Sequence, residues 1–200
     1  MTTTSTCPGQ RDAISLDVFV AGQRPDLTAL YCAGRAERLG RYVGGLGPLE
    51  GPLGDIWVVL ARGPDGRAHG GMRVHLHRPG EPLPVERALG ERCPIGQAVA
   101  RAPAPLVELC GTWVGPDYRG QALAAILTPA ALAVARALGA RCIVGCAHQH
   151  IFALYQRFGA VVDLELGVHP YPDARYETRV FWADPKHCAD KEVEGRAPAR

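Results

Sequence analysis

The stretch from Leu106 to Cys146 constrains the fold more than any other part of the chain. Leu106–Val114 (LVELCGTWV) reads as a strand, interrupted by Gly111. Gln121–Leu138 is Ala-rich and carries Leu123, Leu127, Ala131, Val134 and Leu138 at helical spacing, with Gly139 placed to cap its end. Arg141–Cys146 reads as a second strand. Strand, helix, strand in this order predicts an α/β protein.

The flanking segments extend the pattern. Ile14, Leu16, Val18 and Val20 mark an early strand, and Pro25 opens a helix running to about Leu39. Asp55–Ala61 and Gly70–His77 read as strands joined by the turn signal Pro64-Asp65-Gly66, with His75 and His77 expected on the sheet surface. A Pro-rich link to Pro84 and short helical pieces over Val85–Ala102 follow. Ile151, Leu154, Tyr155 and Phe158 form a short amphipathic helix stopped by Gly159, and closing strands are expected near Val161–His169 and Arg175–Trp182. This order predicts a mixed sheet of about six to seven strands with helices on both faces. Residues 1–12 are expected to be flexible, 13–184 to form one domain, and 185–200 to be a charged tail.

Composition removes several alternatives. With 47% hydrophobic and 21% charged residues, the chain matches a globular domain rather than a disordered one. Its 24 glycines and 17 prolines fall mostly at joints between elements, which argues against a repetitive protein. A net charge of +2 gives no strong field for nucleic acid or anionic membrane. No window reaches the ~18 apolar residues of a membrane span, and the Thr-rich start lacks a secretory pattern. The seven cysteines stand at irregular spacings, so a cytoplasmic location with reduced thiols is expected.

The chemistry is concentrated in Val114-Gly-Pro-Asp-Tyr-Arg-Gly-Gln-Ala-Leu-Ala124, which joins a strand to the long helix. A helix start presents unpaired backbone N–H groups and the positive end of the dipole. Small residues let a phosphate approach them, and Arg119 adds a cation. The physical reading is a pyrophosphate cradle formed by Arg119, Gly120, Gln121 and Ala122. The alternative is a plain tight turn that needs Gly120 for its backbone geometry.

This stretch resembles the coenzyme A signature of the GNAT superfamily of N-acyltransferases, and Leu154-Tyr155-Gln156-Arg157-Phe158-Gly159-Ala160 is similar to the family's second signature. Ala122 stands where the family usually has a second glycine, and Pro129 interrupts the long helix. The resemblance implies a GNAT acyltransferase fold and attack of an amine on a thioester, with acyl-CoA as co-substrate and no metal. It further implies that backbone groups around Trp113 and Val114 bond the pantetheine arm. His148 falls where many relatives carry an Asn beside that arm. Tyr155 matches the family's acid for the departing thiolate; the other reading is a core tyrosine.

Glu108 is the candidate base, because a carboxylate on a central strand is costly to bury without a partner. Its alternatives are a solvent-facing carboxylate or one paired with an arginine such as Arg73. Cys142, Cys146, His148 and His150 share one parity, but a helix starting near His148 breaks the alternation needed for a metal site.

A partial similarity to the acyl-homoserine lactone synthase and N-acyl amino acid synthase branch rests on Gly70-Gly71-Met72-Arg73-Val74, Glu81-Pro82-Leu83-Pro84 and Glu108-Leu109. That branch keeps open a longer acyl chain delivered on the phosphopantetheine of an acyl carrier protein. The acceptor is expected to be the primary amine of a small molecule or peptide, and the protein a monomer or homodimer. A non-catalytic thioester-binding protein of the same fold is the rival class.

Overall fold

The computed structural model describes residues 2–4, 14–40, 49–116 and 121–188. They fall into two compact units, Met1–His75 with Cys110–Ala131, and Leu76–Leu109 with Leu132–Arg200. No helix among the described residues is long and apolar enough to cross a membrane.

The first unit is built on β1 (Thr2–Thr4), β2 (Ser15–Val20), β3 (Ile56–Arg62) and β4 (Ala68–Leu76), adjacent in that order. Both β1–β2 and β2–β3 are antiparallel, as is β3–β4. Helix α1 (Pro25–Leu39) begins with Pro25 in its first turn, where a missing N–H costs nothing. Its Leu27 and Tyr31 pack with Phe19, Ile56, Val58, Leu60 and Trp113 into one apolar cluster. Gly34 on α1 faces the Trp113 ring so closely that any side chain there would collide with it.

The second unit holds two short helices, α2 (Pro84–Leu89) and α3 (Ile95–Arg101). Strand β5 (Leu106–Val114) is divided, its first four residues in this unit and the rest in the first. The long helix α4 (Gln121–Ala137) is likewise shared, and it runs on through Pro129. Then come β6 (Cys142–His148), α5 (Gln149–Arg157), β7 (Val161–Val162), β8 (Val168–Pro170) and β9 (Glu177–Ala183). β5 and β6 are parallel, whereas β6, β7 and β8 each pair antiparallel with β9.

The pleat of β9 divides this unit into two layers. Val180 packs with Leu83, Val85, Leu89, Ile95, Val99 and Val144 on the α2–α3 side. Phe181 points the other way and meets Phe152 and Tyr155 of α5. The expectation of a mixed sheet with helices on both faces holds.

Nine strands are present among the described residues, against the six or seven expected. The stretch Val161–His169 splits because Asp163 turns the chain: its carboxylate accepts the N–H groups of Glu165 and Leu166 at 3.0 and 3.1 Å, and Gly167 follows at φ +78°. Thr2–Thr4, expected to be flexible, pairs with β2. The expected tail is structured through Cys188, which is fully buried.

β5 is interrupted internally. Gly111 takes φ +61°, a conformation that only glycine adopts cheaply. An added Cβ would also meet the Tyr31 hydroxyl. Gly111→Ala is therefore expected to destabilise the protein by about 2 kcal/mol or more, read as a lower midpoint in urea unfolding.

Candidate functional site

Six of the residues nominated from sequence, Trp113, Val114 and Gln121 to Ala124, belong to the first unit and can be placed there. The Tyr31 hydroxyl donates to the Gly111 carbonyl at 2.8 Å, which holds the left-handed break in β5. Complete burial pushes the Tyr31 phenol far above its usual range, so it stays a donor at any working pH. Beside it, the buried Arg73 guanidinium donates through Nε to Cys110 Sγ at 3.0 Å.

Beyond this break lie Trp113 and Val114. The Trp113 side chain is buried in the first unit's core, and its indole N–H has no hydrogen-bond partner. The Val114 carbonyl accepts from Arg38 Nε at 3.0 Å, so that one backbone group is already engaged. Gly115 N–H then closes onto His69 O at 2.6 Å.

Arg119 and Gly120 lie outside the described residues. The rest of the cradle falls at a telling place: α4 starts at Gln121, so Gln121, Ala122, Leu123 and Ala124 are its first four residues. Their backbone N–H groups are the ones a helix leaves without intrahelical acceptors. The Leu123 and Ala124 side chains are buried, and Leu123 sits over Gly70, whose added Cβ would come within 2.7 Å of it. Contributions to a phosphate from these two residues would therefore be through the backbone. This is the geometry that suits an anionic group at a helix start.

In the second unit, Glu108 stands on β5 opposite Val144 of β6. It is 1% exposed, and Oε2 accepts the Val85 N–H at 3.0 Å. This separates it from the solvent-facing alternative. The β5–β6 register runs from Leu106↔Cys142 to Leu109↔Gly145, although both strands continue past these residues.

Tyr155 lies on α5, on the other side of this sheet. It is buried and stacked on Phe181, with ring centroids 4.8 Å apart and planes at 23°.

His148 ends β6 and directly precedes α5, as the break in alternation anticipated. Its Nδ1 is buried without a hydrogen-bond partner. Burial, and then the neighbouring His150, hold its pKa below the ordinary histidine range. His148 therefore stays uncharged near neutral pH.

The model of the acetyltransferase (GNAT) family matches residues 57–160. The chain belongs to the GNAT acetyltransferase family. Uncharacterized proteins of Mycobacterium bovis and Mycobacterium tuberculosis are 32% identical to it over 106 residues, a match covering 48% of this chain and 40% of theirs.

Among solved structures, a CoA-dependent acyl-homoserine lactone synthase, MesI, superposes with a TM-score of 0.61 at 16% identity, covering 92% of this chain and 97% of that one. FeeM, an N-acyl amino acid synthase from uncultured soil microbes, gives 0.58 at 12% identity, covering 89% and 95%. At these identities the likeness shows the fold alone. As a GNAT family member, the chain has the fold that its two sequence signatures implied.

Sequence reasoning missed several residues now in view. His75 was expected on the sheet surface but is 4% exposed. Tyr31 gave no signal beyond its place in the apolar stripe of α1. His169 and Thr178 are buried beside His148's strand through β9, a relation set by register and not by local pattern.

The lowered His148 pKa has a definite consequence. Below about pH 6.5 the unfolded chain takes up a proton that the folded His148 refuses, so this residue makes stability fall as pH drops from there toward its folded pKa. His148→Gln is expected to flatten that part of the profile, measured by urea unfolding across pH 7.5 to 5.

Proposed function

We propose that this GNAT family member is an N-acyltransferase that moves an acyl group from a thioester to the primary amine of a small molecule or peptide. The observation that carries this reading is the start of α4, where the residues nominated as the phosphate cradle occupy the helix's first turn. Arg119 and Gly120, immediately before it in sequence, are assigned to the same phosphates.

The remaining assignments follow the reaction. Backbone groups of Trp113 and Val114 and the ring of His148 are proposed to bond the pantetheine arm. The amine nitrogen attacks the thioester carbonyl, a C–N bond forms, and the C–S bond breaks. The nitrogen's surplus proton goes to a base, for which Glu108 is proposed, and Tyr155 gives its hydroxyl proton to the departing sulfur. That proton's place is refilled from the base through solvent, so the products are an amide and a free thiol.

Acyl-CoA is the proposed donor. The acyl group is proposed to be acetyl or longer, with a long chain carried on an acyl carrier protein as the alternative. A cytoplasmic setting fits the six described cysteines, all of them free thiols. The domain is proposed to extend over residues 13–184.

Thermal unfolding tests the donor: acyl-CoA of increasing chain length, or acyl carrier protein, is expected to raise Tm, and Arg119→Glu to weaken that shift. No shift with any thioester removes the proposal. Tyr155→Phe is expected to lower turnover by about a hundredfold or more while the thioester-induced shift persists. Unchanged turnover rejects Tyr155 as the acid. A shift without turnover of any amine would favour a thioester-binding protein that does no chemistry.

A further inference from the structure

The second unit contains a row of polar side chains that neither the family signatures nor the reading above uses in full. On β6 and β9, His148 stands opposite Thr178; on β9 and β8, Thr178 stands opposite His169. Residues directly opposite in antiparallel strands share a face of the sheet. His148, Thr178 and His169 therefore form one line across three adjacent strands. Neighbouring strands lie about 4.8 Å apart, so the two histidines flank the shorter threonine at about 10 Å between backbones. By the alternation of β6 they share the face of Val144 and Cys146, which is also the face of Glu108 opposite Val144.

The hydrogen bonding of this row is incomplete. His148 Nδ1 and His169 Nε2 are both buried with no partner, and His169 as a whole is 6% exposed. Buried polar atoms are paired in the great majority of cases, so two orphans in one row call for a missing partner. Thr178 donates its hydroxyl proton to the Tyr171 carbonyl, which leaves its oxygen only lone pairs to offer. The Tyr176 ring lies 5.1 Å from the His148 ring, and His150 lies 5.6 Å from it.

We propose that His148, Thr178 and His169 seat the primary ammonium group of the acyl acceptor. With their protons on the opposite ring nitrogens, the two imidazoles present lone pairs at Nδ1 and Nε2, and Thr178 Oγ1 presents a third acceptor between them. A primary ammonium carries three N–H donors and no acceptor, which matches this set. An uncharged His148 suits the seat, because imidazolium would repel the ligand and lose its lone pair. The inference rests on the N-acyltransferase reading for the word acceptor, but the seat itself can be tested without a thioester.

The test uses the full chain and three probes of one carbon skeleton: n-butylammonium, n-butyltrimethylammonium and n-butanol. Long-range proton–nitrogen NMR spectra of the histidine rings, assigned with His148→Gln and His169→Gln, report on the seat directly. Butylammonium is expected to shift the His148 and His169 ring nitrogens saturably, with the trimethyl analogue and the alcohol leaving them in place. Thr178→Val keeps the β-branched shape and removes the central lone pairs, and is expected to weaken butylammonium binding about tenfold. Absence of a butylammonium shift, an equal shift with the trimethyl probe, or unchanged affinity in Thr178→Val overturns the proposal. Binding of butylammonium in a protein whose Tm no thioester raises would leave the seat standing and remove the acyltransferase reading instead.

Discussion

The middle of β5 turns on a hydrogen bond from a buried phenol to a glycine carbonyl. Tyr31, carried on α1 and sealed in the first unit's core, donates to Gly111, whose positive φ breaks the regular pleat of the strand. Leu106 to Leu109 pair with β6 and belong to one unit; Cys110 to Val114 belong to the other. Glycine is needed for both reasons at once, since a side chain there would be strained and would strike the phenol. Trp113 and Val114 follow directly, so the backbone assigned to the thioester takes its course from this contact.

Chemistry in the second unit is sorted by the pleat. Glu108 and the histidine row stand on the side of α2 and α3, while Tyr155 and Phe181 meet on the side of α5. In the proposed reaction this division sets the proposed base, Glu108, and the proposed acid, Tyr155, on opposite sides of the sheet. Burial has opposite effects on the two kinds of group. It keeps the Tyr31 phenol of the first unit protonated and His148 uncharged.

Much of the scaffold was legible. Leu106–Val114, Pro25–Leu39 and a helix beginning at Gln121 stand in the structure where apolar period, proline and glycine placed them. These signals are local: each depends on residues a turn or a pleat apart. The split of Val161–His169 was missed because the run's apolar content suggested one strand, whereas Asp163 caps two N–H groups and turns it. His75 was misplaced because strand parity tells which residues share a face and not which face is covered.

The sequence by itself determined the family, through two signatures in the right order, and with it an α/β fold; it also nominated a phosphate cradle at a helix start. Helix starts are encoded within a few residues, so Arg119 to Ala124 could be read without coordinates. Only the tertiary structure decided that Glu108 is enclosed beside Val85, that Tyr31 holds Gly111, and that His148, Thr178 and His169 stand in one line. Those relations join strands and helices far apart in the chain. They are set by register and by which face each element buries, and neither is written in the spacing of any one segment.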